Sequence, residues 1–413
     1  MKHNGKPALL VLTSSFPCSP DDETCGYIRD FARSLSVQFD VTVLAPPDRR
    51  AIQWPRDAFT LTRSISVLTP GLDPFEAGDD LNHLASGSLL AKLAALVSLL
   101  CFFALAVALA LRADAVCSHW MVPSGLAGAL IRRLLGKPHI VVEHSGALHL
   151  LTRMRGGGKI ARFIVAGSSR IVTVSADLER KLTALCPEAR SKVDVLPMGV
   201  SDTSRYGEAM TANPPAHPVT TILFIGRLIE IKGLDVLLKA MEGLANLRLI
   251  VAGDGERRDN LEGLARALSV NASFIGRIGA LEREQLLSTC DAVVIPSRVL
   301  ADGRTEGTPV VCLEAMAAGR VVIASMVGGL AEVIVDGENG LLFEQGDDLM
   351  LKEKLMLVLS DDSLRSKIAE NARRSAAAYD WARIGSRYSA IIQSALRKND
   401  AIGRRIEARS INR

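Results

Sequence analysis

The chain has 413 residues, 48% of them apolar and 23% charged, with a formal net charge of +4. It is long for a single core and natural for two globular domains, and no nucleic-acid partner is expected of so balanced a charge. Seven cysteines without paired or metal-type spacing exclude a disulfide scaffold and fit reduced thiols in a cytosol. The basic start at 1–6 is followed by an apolar run only a strand long, so no secretory signal is expected.

In chain order, residues 8–13 read as a strand, followed by a loop through Phe16-Pro17 and a helix over 26–37. Residues 41–45, 115–118, 140–143 and 171–174 read as further strands. Between them runs the apolar stretch 93–111, in which Ser98 is the one strongly hydrogen-bonding side chain. Its length is at the lower edge for a membrane span. A span would put residues 1–92 across the bilayer from the strand at 115, and one sheet could not then close. Two readings stay open: a helix buried between layers, and a helix pressed into a bilayer surface. Residues 1–200 hold 22 Lys and Arg against 17 Asp and Glu, and the rest of the chain 27 against 28. Arg132, Arg133, Lys137, Arg153, Arg155, Lys159 and Arg162 could meet an anionic leaflet, or simply be solvated.

A linker is expected over 201–218, with Asn213-Pro214-Pro215 near its end. A second strand series starts at Thr221 and continues through Leu249, Phe274, Val293, Val322 and Leu342. Alternating strands and helices predict parallel sheets covered on both faces. The fold class is therefore α/β, with two facing doubly wound, Rossmann-like domains over 1–200 and 219–379. Residues 380–397 read as a helix, and 398–413 as a basic tail.

The richest segment is Asp302-Gly303-Arg304-Thr305-Glu306-Gly307-Thr308-Pro309, running on through Glu314 to Gly319. Pro309 suits the first position of a short helix and Gly319 the position past its end. Free backbone N–H groups beside Glu306, with Glu314 deeper in the helix, suit an anionic or polyhydroxylated ligand. They equally suit a plain helix start with an acidic residue for its dipole. Upstream, Phe224-Ile225-Gly226-Arg227-Leu228 ends a strand at a glycine turn, and Lys232-Gly233-Leu234-Asp235 follows. Arg227 and Lys232 beside a helix N-terminus can clamp a diphosphate. No metal-ligating set and no Asp-x-Asp motif stands out. Gly253-Asp254-Gly255 follows a strand, as a nicotinamide-dinucleotide site requires, but Arg258 stands where the third glycine belongs.

These segments, with Phe274-Ile275-Gly276, Asp291 to Ser297, Gly328-Gly329-Leu330 and Asn339-Gly340-Leu341-Leu342, resemble in order and spacing the family 4 glycosyltransferases of GT-B fold. The likeness covers roughly Leu9 to Trp381. It implies transfer of a sugar, with retention, from a UDP- or GDP-linked donor to a hydroxyl acceptor, without a metal or other cofactor. Arg227 and Lys232 would hold the departing diphosphate, Glu314 the ribose hydroxyls, and Glu306 the sugar. The N–H groups of Thr308 and Val310 would meet the sugar or phosphate; Pro309 has none to offer. Gly26, after the first strand, would let backbone approach donor or acceptor, or only start a helix. His119-Trp120 would line the acceptor side, or pack. His144 would touch the donor sugar, although Ser145, Ala147 and Leu148 depart from the family's His-Gly and nearby Asp. The 380–397 helix would cross back to the first domain. A glycan or lipid-linked acceptor in envelope or polysaccharide synthesis, met at the cytosolic membrane face, completes the expectation. A nicotinamide oxidoreductase and a non-catalytic sugar-nucleotide binder are the rivals.

Overall fold

The computed structural model describes residues 5–48, 50–64, 89–200 and 220–411. The expected linker at 201–218 lies outside them. The chain divides into two compact units, one made of Met1–Val174, Leu178–Leu196 and Gly385–Arg413, the other of Ser175–Asp177 and Pro197–Ile384.

In the first unit the elements run β1 (Ala8–Leu12), α1 (Gly26–Leu35), β2 (Asp40–Ala45), β3 (Thr60–Arg63), α2 (Leu89–Ala110), β4 (Ala115–His119), α3 (Leu126–Leu135), β5 (His139–Glu143), α4 (Gly146–Arg153), α5 (Gly157–Ala166), β6 (Arg170–Thr173), α6 (Ala176–Leu185) and β7 (Val193–Val195). The seven strands form one parallel sheet in the order β3-β2-β1-β4-β5-β6-β7. The near-continuous apolar strands follow from burial on both sheet faces. β1 reverses the strand order against β4, and such a switch point opens a crevice at the carboxyl ends of the strands.

Of the two readings left open for the apolar stretch, burial on all sides does not fit α2. Phe102, Ala106 and Ala110, at four-residue spacing, pack against Leu10, Leu12 and Val116. The opposite stripe faces outward, with Leu93, Leu96 and Leu100 each more than half exposed. β3 before α2 and β4 after it lie in the same sheet, so α2 does not cross a bilayer in this fold.

The second unit runs β8 (Thr220–Ile225), α7 (Leu234–Ala240), β9 (Leu247–Ala252), α8 (Arg258–Ala267), β10 (Ala272–Gly276), α9 (Ala280–Thr289), β11 (Ala292–Ile295), α10 (Val310–Ala317), β12 (Val321–Ser325), α11 (Leu330–Val333), β13 (Leu341–Phe343), α12 (Asp348–Ser360) and α13 (Asp362–Ala376). Its parallel sheet has the order β10-β9-β8-β11-β12-β13, with the switch point between β8 and β11.

The last helix, α14 (Trp381–Ile411), belongs to the first unit from Gly385 onward. There Tyr388 is fully buried, donates its hydroxyl to the Leu196 carbonyl at 3.0 Å, and meets Phe31 edge-on at 5.0 Å. Gly385 lies so close to α1 that an added Cβ would stand 2.7 Å from the Ser34 side chain.

Candidate active site

The switch point of the second sheet gathers the charged residues. After β8, Gly226 donates its N–H to the Ala252 carbonyl at 3.0 Å. Gly253, at φ +143°, lets that approach happen, since a Cβ there would stand 1.9 Å from the Gly226 oxygen. Gly253-Asp254-Gly255 is thus a packing device under the Gly226–Leu228 loop, not a phosphate loop. Arg258, in the place of a third glycine, ties Glu262 at 2.8 Å.

Arg227 is exposed and has no side-chain hydrogen bond or ion pair among the described residues. Lys232 ends a single 3₁₀ turn, Glu230–Lys232, and Gly233 follows at φ +64°. A Cβ on Gly233 would stand 1.9 Å from the Pro296 oxygen, and Arg298 donates its backbone N–H to Ile231 at 2.9 Å. The Lys232 turn is therefore seated on the end of β11.

That seating brings Lys232 to Glu306. The two form an ion pair with side chains only 18% and 15% exposed. The second Glu306 oxygen accepts from the Ser297 hydroxyl at 2.6 Å, and the Ser325 hydroxyl donates in turn to the Ser297 carbonyl. Beside them Asp235 accepts from Arg298 at 2.8 Å and Arg257 at 3.4 Å. The segment carrying Glu306 is pinned by Gly328 and Gly329. Gly329 donates to the Gly307 carbonyl at 2.9 Å, and a Cβ on it would reach Thr308 Oγ1 at 2.1 Å.

Pro309 is the N-cap of α10 (φ −59°, ψ 124°) rather than its first helical residue, because its ψ is extended. Val310 opens the helix, so its N–H has no carbonyl one turn back to bond. Gly319, at φ +61°, stands just past the C-cap. Glu314 forms an ion pair with Arg283 of α9, both largely buried. Nothing in the spacing of the sequence links Arg283 to Glu314. Ser297 directly follows the strand end Ile295-Pro296, which places it near the carboxyl end of the sheet but does not mark it as the partner of Glu306.

In the first unit Gly26 opens α1 behind Cys25, which is left-handed at φ 56°. Its N–H is already given to the Glu23 carbonyl at 3.2 Å, and its Cβ position faces the Glu23–Arg29 pair. Parallel pairing of β4 with β5 sets His119 beside Val142, and so next to the chain leaving β5 at His144. His119 Nδ1 lies 2.9 Å from His144 Nε2, with the rings stacked. Burial drops the His144 ring to about 3, and burial followed by the neighbouring histidine holds His119 well below its ordinary value. Behind them Glu143 is fully buried and accepts from the N–H groups of Met121, Ser145 and Leu148. Burial raises its carboxyl above the ordinary range, against the pull of those donors. Among the described residues no cluster of His, Cys, Asp and Glu is placed to hold a metal ion.

Two family models match this chain: "Glycosyl transferase 4-like domain" over residues 26–199 and "Glycosyl transferases group 1" over residues 208–375. A D-inositol 3-phosphate glycosyltransferase of Actinosynnema mirum is 31% identical over 65% of this chain and 70% of its own length. The chain belongs to the family 4 glycosyltransferases. As a glycosyltransferase it shares its GT-B fold with sucrose-phosphate synthase from Thermosynechococcus elongatus (TM-score 0.74, 18% identity, 94% of this chain and 98% of that one). It also resembles the Anabaena protein HepE solved in complex with UDP (TM-score 0.67, 17% identity, 94% of this chain and all of that one). Family membership removes the oxidoreductase reading and leaves the glycosyltransferase cluster at Lys232 and Glu306 to be explained chemically.

Proposed function

We propose that this glycosyltransferase moves a sugar, with retention of configuration, from a UDP- or GDP-linked donor to a hydroxyl of a lipid-linked saccharide at the cytosolic face of a membrane. One observation carries the donor half of the reading: Lys232, Glu306 and Ser297 converge at the carboxyl-end switch point of the second sheet, ahead of the open N–H groups of α10. As the glycosidic bond breaks, charge builds on the departing diphosphate, so fixed cations stabilise the transition state more than the ground state. The Lys232 ammonium has three donors. One serves Glu306 and the others remain for phosphate oxygens. Exposed Arg227 supplies the second cation. Glu306, held on both oxygens, accepts hydrogen bonds from sugar hydroxyls, and Glu314 from the ribose. Retention rests on family membership, and the nucleotide on the UDP bound by HepE.

The acceptor half rests on α2. Its outward leucines form an apolar stripe, and Lys92 and Arg112, both exposed, stand near its two ends. An apolar helix face bordered by cations suits the surface of an anionic bilayer. Calorimetric titration with UDP, GDP and ADP, with NAD as control, tests the donor site in the wild type and in Glu314→Ala. One diphosphate should bind tightly and lose affinity in the variant; binding of none, or of NAD instead, sinks the reading. Leu96→Asp combined with Leu100→Asp should abolish sedimentation with anionic vesicles while leaving UDP binding intact. Unchanged sedimentation would remove the membrane from the proposal.

A further inference from the structure

The paired histidines of the first unit hold a proton arrangement that the geometry restricts. His119 is fully buried, and its Nε2 has no hydrogen-bond partner among the described residues. Its Nδ1 faces His144 Nε2 at 2.9 Å. Phe31 stands perpendicular to the His119 ring at 4.6 Å, while Tyr27 and Trp120 pack on His144. His144 itself reaches the surface in part. The residue after each histidine has a positive φ without being glycine: 65° at Trp120 and 114° at Ser145. Such backbone persists where surrounding structure holds it, commonly at functional sites. Here Glu143 does the holding, through the N–H groups of Met121 and Ser145 on either strand end.

A neutral imidazole has one N–H and one lone pair, so a neutral pair has two possible arrangements. In the first, His144 donates from Nε2 to His119 Nδ1. His119 must then carry its own proton on Nε2, a buried N–H without an acceptor. Orphaned buried N–H groups are the rare and costly kind, and the face of a neighbouring ring is only a second-order acceptor. In the second, His119 donates from Nδ1 to His144 Nε2. Only a lone pair on His119 Nε2 is then unused, and the His144 proton stands on Nδ1. Both rings stay neutral, because burial disfavours the cation.

We infer that His119 is a positioning residue that locks His144 in its Nδ1–H tautomer, so that His144 presents a fixed, neutral hydrogen-bond donor to a ligand oxygen. The use of that donor on the sugar rests on the proposed function; the tautomer does not. His144 is then no proton acceptor toward substrate, since its one lone pair is already engaged by His119. The substrate group it recognises is an acceptor oxygen, of a hydroxyl or a phosphate.

Nitrogen–proton correlation spectra of the full chain, with labelled histidine and the His144→Gln variant to assign signals, test the tautomer. His144 should show a protonated Nδ1 and a bare Nε2, unchanged across neutral pH. Protonation at Nε2 would overturn the inference, and assignment of the wild-type histidine signals through their backbone resonances decides this even where a variant fails to fold. His119→Leu should give His144 a mixture of tautomers. His119→Asn, whose amide nitrogen takes the place of Nδ1, should restore the single one. In transfer kinetics His119→Leu should lower kcat/KM for the donor about fivefold, the worth of one neutral hydrogen bond. The Asn variant should recover most of that, and Leu at both 119 and 144 should be no worse than Leu at 144 alone. If the tautomer is as inferred but His144→Leu transfers sugar normally, the positioning stands and the placement of His144 on the donor falls.

Discussion

The Lys232–Glu306 pair can be weighed by a double-mutant cycle on stability. Both side chains are more than four-fifths buried. At an effective dielectric of about 20, opposite charges ~4 Å apart attract by about 4 kcal/mol, roughly half of which desolvation offsets. Removing either charge leaves the other in a site with little water. Lys232→Met strands the Glu306 carboxylate with the Ser297 hydroxyl as its remaining side-chain partner among the described residues, and Glu306→Gln strands the ammonium. Each single change should therefore cost about 2 kcal/mol, and the double change no more than either alone, a coupling of about 2 kcal/mol. Equilibrium unfolding in urea gives these values. Trp381 lies in the second unit whereas Trp54 and Trp120 lie in the first, so a Trp54→Phe, Trp120→Phe background makes fluorescence report the second unit alone. Additive losses, or singles costing under about 0.5 kcal/mol, would refute a desolvated pair.

Gly233→Ala should destabilise the second unit by about 2 kcal/mol or more, because φ is +64° and the new methyl would collide with the Pro296 carbonyl; an unchanged melting temperature would contradict the seating of the Lys232 turn. Arg283→Ala should weaken UDP binding about tenfold by freeing the Glu314 carboxylate, with Arg283→Ala/Glu314→Ala no weaker than Glu314→Ala alone in calorimetry. Acid should destabilise the first unit. Burial lowers His139 to about 4 and His144 to about 3 from 6.5. A lowered folded value means the unfolded chain binds the proton more readily, so this stability is complete above about pH 6.5 and drains as pH falls toward the folded values. At about pH 5.5 each ring accounts for a loss of about 1.4 kcal/mol, His119 acts in the same direction, and raised Glu143 acts oppositely, its share being lost as pH rises past 4.5. Urea unfolding at about pH 7.5 and pH 5.5 measures this, and equal stability at both would exclude neutral buried histidines.

Strands were the readable part of this chain, because parallel strands covered on both faces are apolar runs with nothing else to be. Readings at 41–45, 115–118, 140–143 and 171–174 fall within a residue or so of β2, β4, β5 and β6. The helix at 93–111 was visible as apolar, but its orientation was not: a uniformly apolar helix has no polar face to mark which side meets solvent. Motif residues such as Lys232 and Glu306 could be picked out singly. The partners Ser297 and His119 depended on which strand ends lie side by side, and Arg283 on α9 coming within reach of Glu314 in α10; neither is written in local pattern. Pro309 was misplaced by one position because the preference of proline for early helical positions cannot separate the cap from the first turn.

The division of the first unit between the two ends of the chain has a consequence for synthesis. Its core includes Tyr388, seated on Phe31 and Leu196, so a ribosome must finish the whole of the second unit before the first can close. Until then the face of α1 that receives α14 stands bare, with Phe31 uncovered. A fragment ended after residue 200 should accordingly be recovered as aggregate or chaperone-bound, and supplying residues 381–411 as a separate peptide should return it to solution. The second unit lacks that dependence and is the half suited to expression alone for nucleotide titrations.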